Sequence, residues 1–284
     1  MELQTDDVTL HYEDDGDAGA PPVLMLHGIT QSTATWGWLV PHLAGSHRVV
    51  RLDFRGHGRS GRMPGGYGHD GFLADAVAVC ERVLETPAVV VGHSLGGGAA
   101  AALAQTRPEL VRGVVLEDPA IMARSSGEGQ NLEGNSLLDG FRLMRESIPR
   151  LQESGISVGD LTNVLRGAPS PSGPTFGELL HDDAIEAMAI GMLELDVTVL
   201  DLVFDPTSAP VFDPHRELPV PGIVLAADPS KPDGLVKPAD VERLAEQSPK
   251  IECRTVTGAG HLIHDSKDHR AAVLDAVNDL LARI

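Results

Sequence analysis

A single serine stands between two glycines in the segment Gly92-His93-Ser94-Leu95-Gly96. The apolar, β-branched run at residues 88–91 predicts a buried strand before it, and the alanine-rich run that ends at Arg107-Pro108 predicts a helix after it. The chain must therefore turn sharply, with Ser94 at the apex. This arrangement is typical of a nucleophile elbow, in which the serine hydroxyl is exposed at the carboxyl end of a strand. The plainer interpretation is a glycine-rich turn around an ordinary serine.

A serine hydroxyl attacks a substrate only when a base takes its proton. The predicted base is His261, because it follows the last predicted strand in the glycine-rich loop at residues 258–260. His264 is its nearest rival, whereas His93 adjoins Ser94 but should point away across the turn. His261 and His264 are also the histidine pair whose spacing comes nearest to a metal site, but no cysteine or HExxH pattern accompanies them. We therefore expect no metal and no cofactor.

Two backbone N–H groups are candidates for binding the oxyanion that such an attack creates. The N–H of Leu95 opens the predicted helix and has no partner within it. The N–H of Ile29 follows the predicted strand at residues 22–26, and Gly28 lets the backbone turn there toward the same cleft. Together the two groups could form an oxyanion hole.

Predicted strands and helices alternate along the chain, and these residues follow the strands. Short apolar runs predict buried strands, and helical patterns between them favour a parallel sheet with helices on both faces. After a first edge strand, the predicted strands lie at residues 22–26, 48–53, 88–91, 111–117, 222–227 and 251–256. Ligands of such α/β folds bind at the carboxyl ends of the strands. Ser94, Ile29 and Asp118 all fall at such ends.

Residues 121–218 interrupt this alternation with helical patterns at 137–147 and 182–203. We interpret the segment as a helical cap that is inserted between the sixth and seventh strands and covers the strand ends. Residues 1–120 and 219–284 would then form the core. Apolar residues of the cap that could line an acyl pocket are Phe141, Met144, Met188, Met192 and Phe204. Each of them is also typical of simple packing inside the cap.

The composition restricts the class of protein. The 284 residues carry a net charge of −19, which disfavours nucleic acid and anionic membrane surfaces as partners. No apolar run reaches the roughly 18 residues that a membrane span needs. The acidic N-terminus lacks the basic and apolar pattern of a signal peptide. We therefore expect a cytoplasmic protein that acts on a small molecule, in an oligomeric state that stays open.

Four motifs, taken in order, make the chain similar to the α/β-hydrolase fold family. His27-Gly28 matches the oxyanion turn of that family, and residues 53–60 match its D-x-R-G-x-G-x-S loop. Residues 92–96 match its elbow, and residues 258–261 match its histidine loop. The resemblance covers nearly the whole chain except the cap. It implies an α/β fold with a mostly parallel eight-stranded sheet and helices on both faces.

The resemblance also implies Ser94 as the nucleophile, His261 as the base, and the N–H groups of Ile29 and Leu95 as the oxyanion hole. Dehalogenases and epoxide hydrolases of this fold carry aspartate at the elbow, so the serine disfavours both reactions. Acyl transfer to water remains, and a carboxylic ester or a lactone fits it best. A C–C hydrolase of meta-cleavage products is the next candidate, and a non-catalytic ligand-binding protein of this fold is the last.

The acid that orients His261 is ambiguous within this family. Most members place it after the seventh strand, where Asp228 and Asp233 stand. Haloalkane dehalogenases and zearalenone lactone hydrolases place it after the sixth strand, where Asp118 stands. The segment around Asp228 also resembles a dehalogenase segment whose acid is not part of the triad. The resemblance therefore favours Asp118, with Asp228 as the alternative and Asp233 next, although Asp118 and Glu117 could also serve as mere caps of the strand end.

Overall fold

Eight strands form one sheet within the residues that the computed structural model describes, which are 1–121, 136–170, 173–205 and 207–284. The strands are β1 (Glu2–Gln4), β2 (Thr9–Asp15), β3 (Pro22–Leu26), β4 (Arg48–Leu52), β5 (Ala88–His93), β6 (Val111–Glu117), β7 (Gly222–Ala227) and β8 (Ile251–Val256). Their spatial order is β1-β2-β4-β3-β5-β6-β7-β8. Strand β2 is antiparallel to β1 and β4, and the other neighbours are parallel. The predicted α/β fold with a mostly parallel eight-stranded sheet is therefore confirmed.

Helices connect most of these strands. In the described residues they are α1 (Val40–Leu43), α2 (His69–Val79), α3 (Leu95–Thr106), α4 (Ser136–Ser154), α5 (Val158–Gly167), α6 (Phe176–Leu179), α7 (Asp182–Leu193), α8 (Asp201–Phe204), α9 (Pro238–Gln247) and α10 (Arg270–Leu281). Short 3-10 turns occur at Thr33–Trp36, Pro108–Leu110 and Val197–Leu200, and a π turn at Cys80–Leu84. None of the described helices is both long and apolar enough to cross a membrane.

Helices α4 to α8 all fall between β6 and β7, in the segment predicted as a cap. Residues 122–135, 171–172 and 206 of that segment lie outside the described residues. Four of the cap residues considered as pocket lining pack against the main apolar core, namely Phe141, Met144, Met188 and Met192. Phe204 lies under the guanidinium group of Arg145, whose carbon is 5.5 Å from the ring centroid.

Strand β5 lies near the middle of the sheet, between β3 and β6, and all six of its residues are buried. Its side chains alternate between the two apolar layers of the core. Val90 packs in the layer that contains α2 and α3, while Val89 and Val91 pack in the layer that contains α10. Burying each of these valines contributes roughly 1.5–3 kcal/mol. The turn that follows β5 therefore starts from a strand that is fixed on both faces.

The structure differs from the predicted elements mainly in the cap and at the N-terminus. The pattern at residues 182–203 predicted one helix, but α7 ends well short of this and Asp196 begins a new turn. The side chain of Asp196 accepts a hydrogen bond from the N–H of Thr198 at 3.0 Å, so it competes with the helix for backbone donors. Helix α5 is absent from the predicted elements, although Ser157 caps it by accepting from a backbone N–H. Strand β1 is absent from them as well.

Candidate active site

Ser94 occupies the turn between β5 and α3 with φ 52° and ψ −113°. A positive φ is rare for a residue with a Cβ and stores about 1–3 kcal/mol of strain. Three hydrogen bonds hold the residue in place: its N–H donates to the carbonyl of Glu117 at 3.0 Å, and its carbonyl accepts from Gly98 at 2.9 Å and Ala120 at 3.1 Å. The Ser94 side chain does not cap α3, so the helix end does not occupy its hydroxyl. A nucleophile elbow requires this strained and well-held geometry.

Gly96 allows α3 to approach the sheet closely at this turn. A Cβ atom on Gly96 would lie 2.6 Å from the carbonyl oxygen of His27, which follows β3. Because the Cβ atom would be fixed to the backbone of α3 and the carbonyl belongs to the backbone after β3, neither could move aside without shifting the helix or the strand. Any side chain at this position would therefore push the helix off the sheet and open the elbow.

His261 and Asp118 form a buried pair beside this turn. Nδ1 of His261 lies 2.7 Å from Oδ2 of Asp118, and the two side chains are 4% and 0% exposed. A carboxylate accepts hydrogen bonds, so Nδ1 carries the hydrogen, and Nε2 of the neutral imidazole carries the lone pair. This is the tautomer that a general base needs in order to take a proton from serine.

Backbone donors fix the orientation of the Asp118 carboxylate. Its Oδ2 accepts a hydrogen bond from the N–H of Leu235 at 2.8 Å, and its Oδ1 accepts one from the N–H of Val236 at 3.0 Å. Asp118 leaves β6 with φ 35° while its own N–H donates to the carbonyl of Leu225 at 2.7 Å. The strand end and the loop after β7 thus hold the carboxylate in one position.

The two other candidate acids contact the histidine loop through its backbone. Asp228 accepts hydrogen bonds from the N–H of Gly258 at 2.6 Å and of Ser230 at 2.9 Å, which lower its pKa to about 2. Asp233 accepts a hydrogen bond from the backbone N–H of His261 at 3.2 Å. Neither carboxylate bonds to the imidazole of His261, in contrast to the acid that follows β6.

His93 connects the elbow to the histidine loop. Its ring centroid lies 4.7 Å from that of His261, and its Nε2 lies 3.1 Å from the carbonyl oxygen of His261. Ser94 is the next residue, so the elbow lies beside the histidine loop at the carboxyl ends of the strands. Within the described part of the chain, the Ser94 hydroxyl and Nε2 of His261 form no hydrogen bond. Catalytic hydrogen bonds of unliganded enzymes are often long and tighten when the substrate binds.

The two predicted oxyanion donors lie at neighbouring strand ends. Leu26 of β3 pairs with Gly92 of β5, and Ile29 and Leu95 each follow three residues later. Leu95 is the first residue of α3, where a helix leaves its N–H groups without intrahelical partners. The N–H groups of Ile29 and Leu95 donate to no acceptor among the described residues. Both are therefore available to an oxyanion between these strand ends.

A second acid–imidazole pair, which was not predicted from the sequence, lies next to the pair of Asp118 and His261. Oε2 of Glu117 is 2.8 Å from Nδ1 of His264, and both side chains are 0% exposed. Burial lowers the pKa of His264, but the carboxylates of Asp265 and Glu117 outweigh this effect and raise it. The signal in the sequence is a pair of successive acids at the end of β6, together with two histidines in the loop after β8.

His93, Glu117 and His264 place possible metal-ligand atoms within 4.8 Å of one another. The carboxylate of Glu117 is already bonded to the ring of His264, and both ring nitrogens of His93 lie within hydrogen-bond distance of protein oxygens. Metal binding also needs a deprotonated imidazole, whereas the carboxylates favour the protonated form of His264. The three residues fit a hydrogen-bonded network better than a metal site.

Known proteins are similar to this chain in sequence and in structure. The model of a family described as "Alpha/beta hydrolase family" matches residues 23–276. A serine hydrolase-like protein of Danio rerio is 38% identical over 105 residues, which are 36% of this chain and 32% of that relative. This chain thus matches about a third of the length of that relative. The sn-1-specific diacylglycerol lipase ABHD11 of Mus musculus is 25% identical over 273 residues, which are 94% of this chain and 83% of that relative.

Among solved structures, the enol-lactonase from Burkholderia xenovorans LB400 has the same fold. The two structures have a TM-score of 0.71 at 19% sequence identity, and the match covers 99% of this chain and 100% of the lactonase chain. At this identity the similarity extends to the fold alone.

Proposed function

Since this chain belongs to the alpha/beta hydrolase family, we propose that it is a serine hydrolase that cleaves a carboxylic ester or a lactone through an acyl-enzyme on Ser94. The buried pair of Asp118 and His261 carries the proposal, because their 2.7 Å contact leaves Nε2 of the imidazole as a base. The strained elbow that presents Ser94 lies beside this base. The unpaired N–H groups of Ile29 and Leu95 support an oxyanion hole there.

The proposed reaction begins when the Ser94 oxygen attacks the carbonyl carbon of the substrate and Nε2 of His261 takes the hydroxyl proton. The carbonyl oxygen becomes an oxyanion, which the N–H groups of Ile29 and Leu95 bind. Each such donor contributes about 3 kcal/mol to transition-state stabilisation. Asp118 stabilises the imidazolium that forms. When the tetrahedral intermediate collapses, the C–O bond to the alcohol breaks and His261 gives its proton to the leaving alkoxide.

Water completes the proposed cycle. Its oxygen attacks the acyl carbon while Nε2 of His261 takes one of its protons. The second tetrahedral intermediate expels the Ser94 oxygen, which receives that proton from His261. An ester thereby yields a carboxylic acid and an alcohol, and a lactone yields a single hydroxy acid.

The residue at the elbow supports an ester or a lactone as the substrate class. A serine oxygen forms an acyl ester with a carbonyl carbon, and water can hydrolyse that ester by the same machinery. The names of two similar proteins, a diacylglycerol lipase and an enol-lactonase, point in the same direction. The substrate in this proposal is therefore a small molecule with a carboxylic ester bond.

Residues 121–218 form a cap in this proposal, and residues 1–120 and 219–284 form the core. Support comes from α7, whose Gly191 lies against the oxyanion turn. A Cβ atom on Gly191 would be 3.1 Å from the Cα of Gln31. A cap in such close contact would help to hold the turn in position.

A cytoplasmic location also belongs to the proposal. Cys80 is buried, Cys253 is partly buried, and the two are not joined by a disulfide. Free cysteines are typical of a reducing compartment. Burial raises the pKa of the two thiols to about 12 and about 11, so both are expected to be unreactive.

Hydrolysis of short p-nitrophenyl esters and simple lactones by the wild type and by Ser94→Ala tests the proposal. We expect the wild type to hydrolyse at least one of these classes and the variant to lose about 10³-fold or more of the rate. Ser46→Ala removes an exposed serine hydroxyl and serves as the matched control, which should keep the wild-type rate. Equal rates for the wild type and Ser94→Ala would contradict the proposal, and so would turnover restricted to the dienone substrates of C–C hydrolases.

A further inference from the structure

Glu117 and Asp118 are consecutive residues, and they bind two histidines that lie three residues apart in one loop. Asp118 contacts Nδ1 of His261. Glu117 contacts His264 twice, since its Oε1 accepts the backbone N–H at 2.9 Å and its Oε2 contacts Nδ1 at 2.8 Å. The end of β6 therefore holds the histidine loop at two points.

His264 extends this contact to the segment that follows the oxyanion turn. Its Nε2 lies 2.8 Å from Oγ1 of Thr35, and its ring stacks on that of Trp36 with centroids 4.6 Å apart. Oγ1 of Thr35 also accepts a hydrogen bond from Nε2 of Gln31 at 3.2 Å. A continuous chain of buried contacts thus runs from Glu117 to Gln31.

Gln31 lies at the end of the oxyanion turn, which spans residues 27–31, and its hydrogen bonds to Gly28 hold the turn together. Its Oε1 accepts the N–H of Gly28 at 2.8 Å, and its own N–H donates to the carbonyl of Gly28 at 3.2 Å. Thr30 adopts φ 68° between them, which reverses the backbone. Oε1 of Gln31 also lies 2.9 Å from Nδ1 of His93, the residue before the elbow. Because Gln31 engages both polar groups of Gly28, the N–H of Gly28 is occupied, and the N–H of the next residue, Ile29, has no acceptor among the described residues.

We propose that Glu117, His264 and Gln31 are positioning residues that fix the oxyanion turn relative to the base, an inference that rests on the proposed serine hydrolase function. Gln31 acts through the turn that carries Ile29, while Glu117 and His264 act through the loop that carries His261. A misplacement of about 1 Å in an active site can lower a rate about 10²-fold. A network that joins the oxyanion donor to the base therefore contributes to kcat and leaves substrate binding largely unchanged.

The charges in this network distinguish it from ordinary core packing. Two acids flank one imidazole, since Oδ1 of Asp265 lies 3.2 Å from Nε2 of His264 on the side opposite Glu117. Burying ionised groups is often less favourable than burying apolar residues of the same volume. Stability alone would therefore favour an apolar cluster here, whereas directed hydrogen bonds give the two loops a defined relative position.

Steady-state kinetics of Glu117→Gln and Gln31→Leu test this inference, with Ser94-dependent ester hydrolysis as the assay. Rates are compared at a temperature at which circular dichroism shows each variant to be folded. We expect kcat to fall about tenfold or more in each variant, while KM changes by less than about twofold. The double variant should lose less than the product of the two single losses, because both residues act through one network. Gln31→Leu carries the test by itself if Glu117→Gln does not fold.

Asp75→Asn provides the control, because it breaks the buried ion pair of Arg55 and Asp75 outside this network. It should lower the unfolding midpoint and leave kcat unchanged. Wild-type kcat in Glu117→Gln and Gln31→Leu would overturn the inference and leave the proposed function intact. The inference would also be overturned if kcat fell no further in Glu117→Gln and Gln31→Leu than in Asp75→Asn. The same holds if the fall in kcat of the double variant equalled the product of the two single falls. A wild type without Ser94-dependent turnover would overturn both.

Discussion

Oδ2 of Asp118 lies 2.7 Å from Nδ1 of His261, while the backbone N–H groups of Leu235 and Val236 donate to the same carboxylate. The imidazole therefore depends on this acid for its tautomer and its orientation. Asp118→Asn should lower kcat by about 10³–10⁴-fold, because an amide can donate to Nδ1 and stabilise the wrong tautomer. Initial rates with a p-nitrophenyl ester at saturating concentration measure the effect.

Asp228→Asn is the matched control for that prediction. Asp228 bonds to backbone N–H groups of Gly258 and Ser230 and not to the imidazole, so the variant should keep most of kcat. It should lose some stability, because the amide retains an acceptor but no charge for these donors. The reverse pattern, with Asp228→Asn inactive and Asp118→Asn active, would assign the acid to the loop after β7.

Local sequence patterns are sufficient to predict the parallel strands and the turn that holds Ser94. Strands that are buried on both faces appear as continuous apolar runs, and residues 88–91 are such a run. Strand β1 lacks any such signal, since Leu3 is the one buried residue of its three. The break after α7 could not be predicted from apolar periodicity either, because it depends on a hydrogen bond of the Asp196 side chain.

The pairing of acids with histidines is a property of the tertiary structure. Asp118 and His261 are 143 residues apart, and Glu117 and His264 are 147 residues apart. Asp118 and Asp228 each follow a predicted strand, so the strand pattern does not choose between them, and it is the family resemblance that favours Asp118. The register of β6 against β7 and the donors in the loop after β7 decide which acid reaches the imidazole. Neither of these features is local.

Gly191 of α7 lies against the oxyanion turn, and a Cβ atom there would overlap the carbonyl oxygen of Thr30. Both partners belong to the backbone, so Gly191→Ala should displace α7 or the turn. We expect kcat to fall about tenfold or more and the unfolding midpoint to drop.

Gly140→Ala is the control, since a Cβ atom on this helical glycine of α4 would meet no atom within 4 Å. It should keep kcat and stabilise the helix by about 0.5–1 kcal/mol; equal kcat in both variants would contradict a role for α7 at the turn.

His57 makes the fold sensitive to acid. Burial, and after it the neighbouring His27, lowers its pKa to about 3 from an ordinary value of 6.5. Between these values the unfolded chain binds a proton that the folded protein does not. The stability contributed by neutral His57 is therefore complete above pH 6.5 and falls by up to about 1.4 kcal/mol per pH unit as the pH decreases toward 3.

Replacing this histidine removes that part of the pH dependence. Urea unfolding of the wild type and of His57→Gln at pH 7.5 and pH 5.0 measures the difference. We expect the free energy of unfolding to fall less in the variant than in the wild type between the two pH values. The same decrease in both proteins would show that His57 is not the group responsible.

The formation of an acyl-enzyme on Ser94 is the central claim, and mass spectrometry tests it most directly. Wild type and Ser94→Ala are reacted with a fluorophosphonate or quenched during the burst phase with a p-nitrophenyl ester, and the digested peptides are then mapped. We predict one adduct in the wild type, on the peptide that contains Ser94, and no adduct on that peptide in the variant. An adduct on another residue, or hydrolysis by Ser94→Ala at the wild-type rate, would contradict the account.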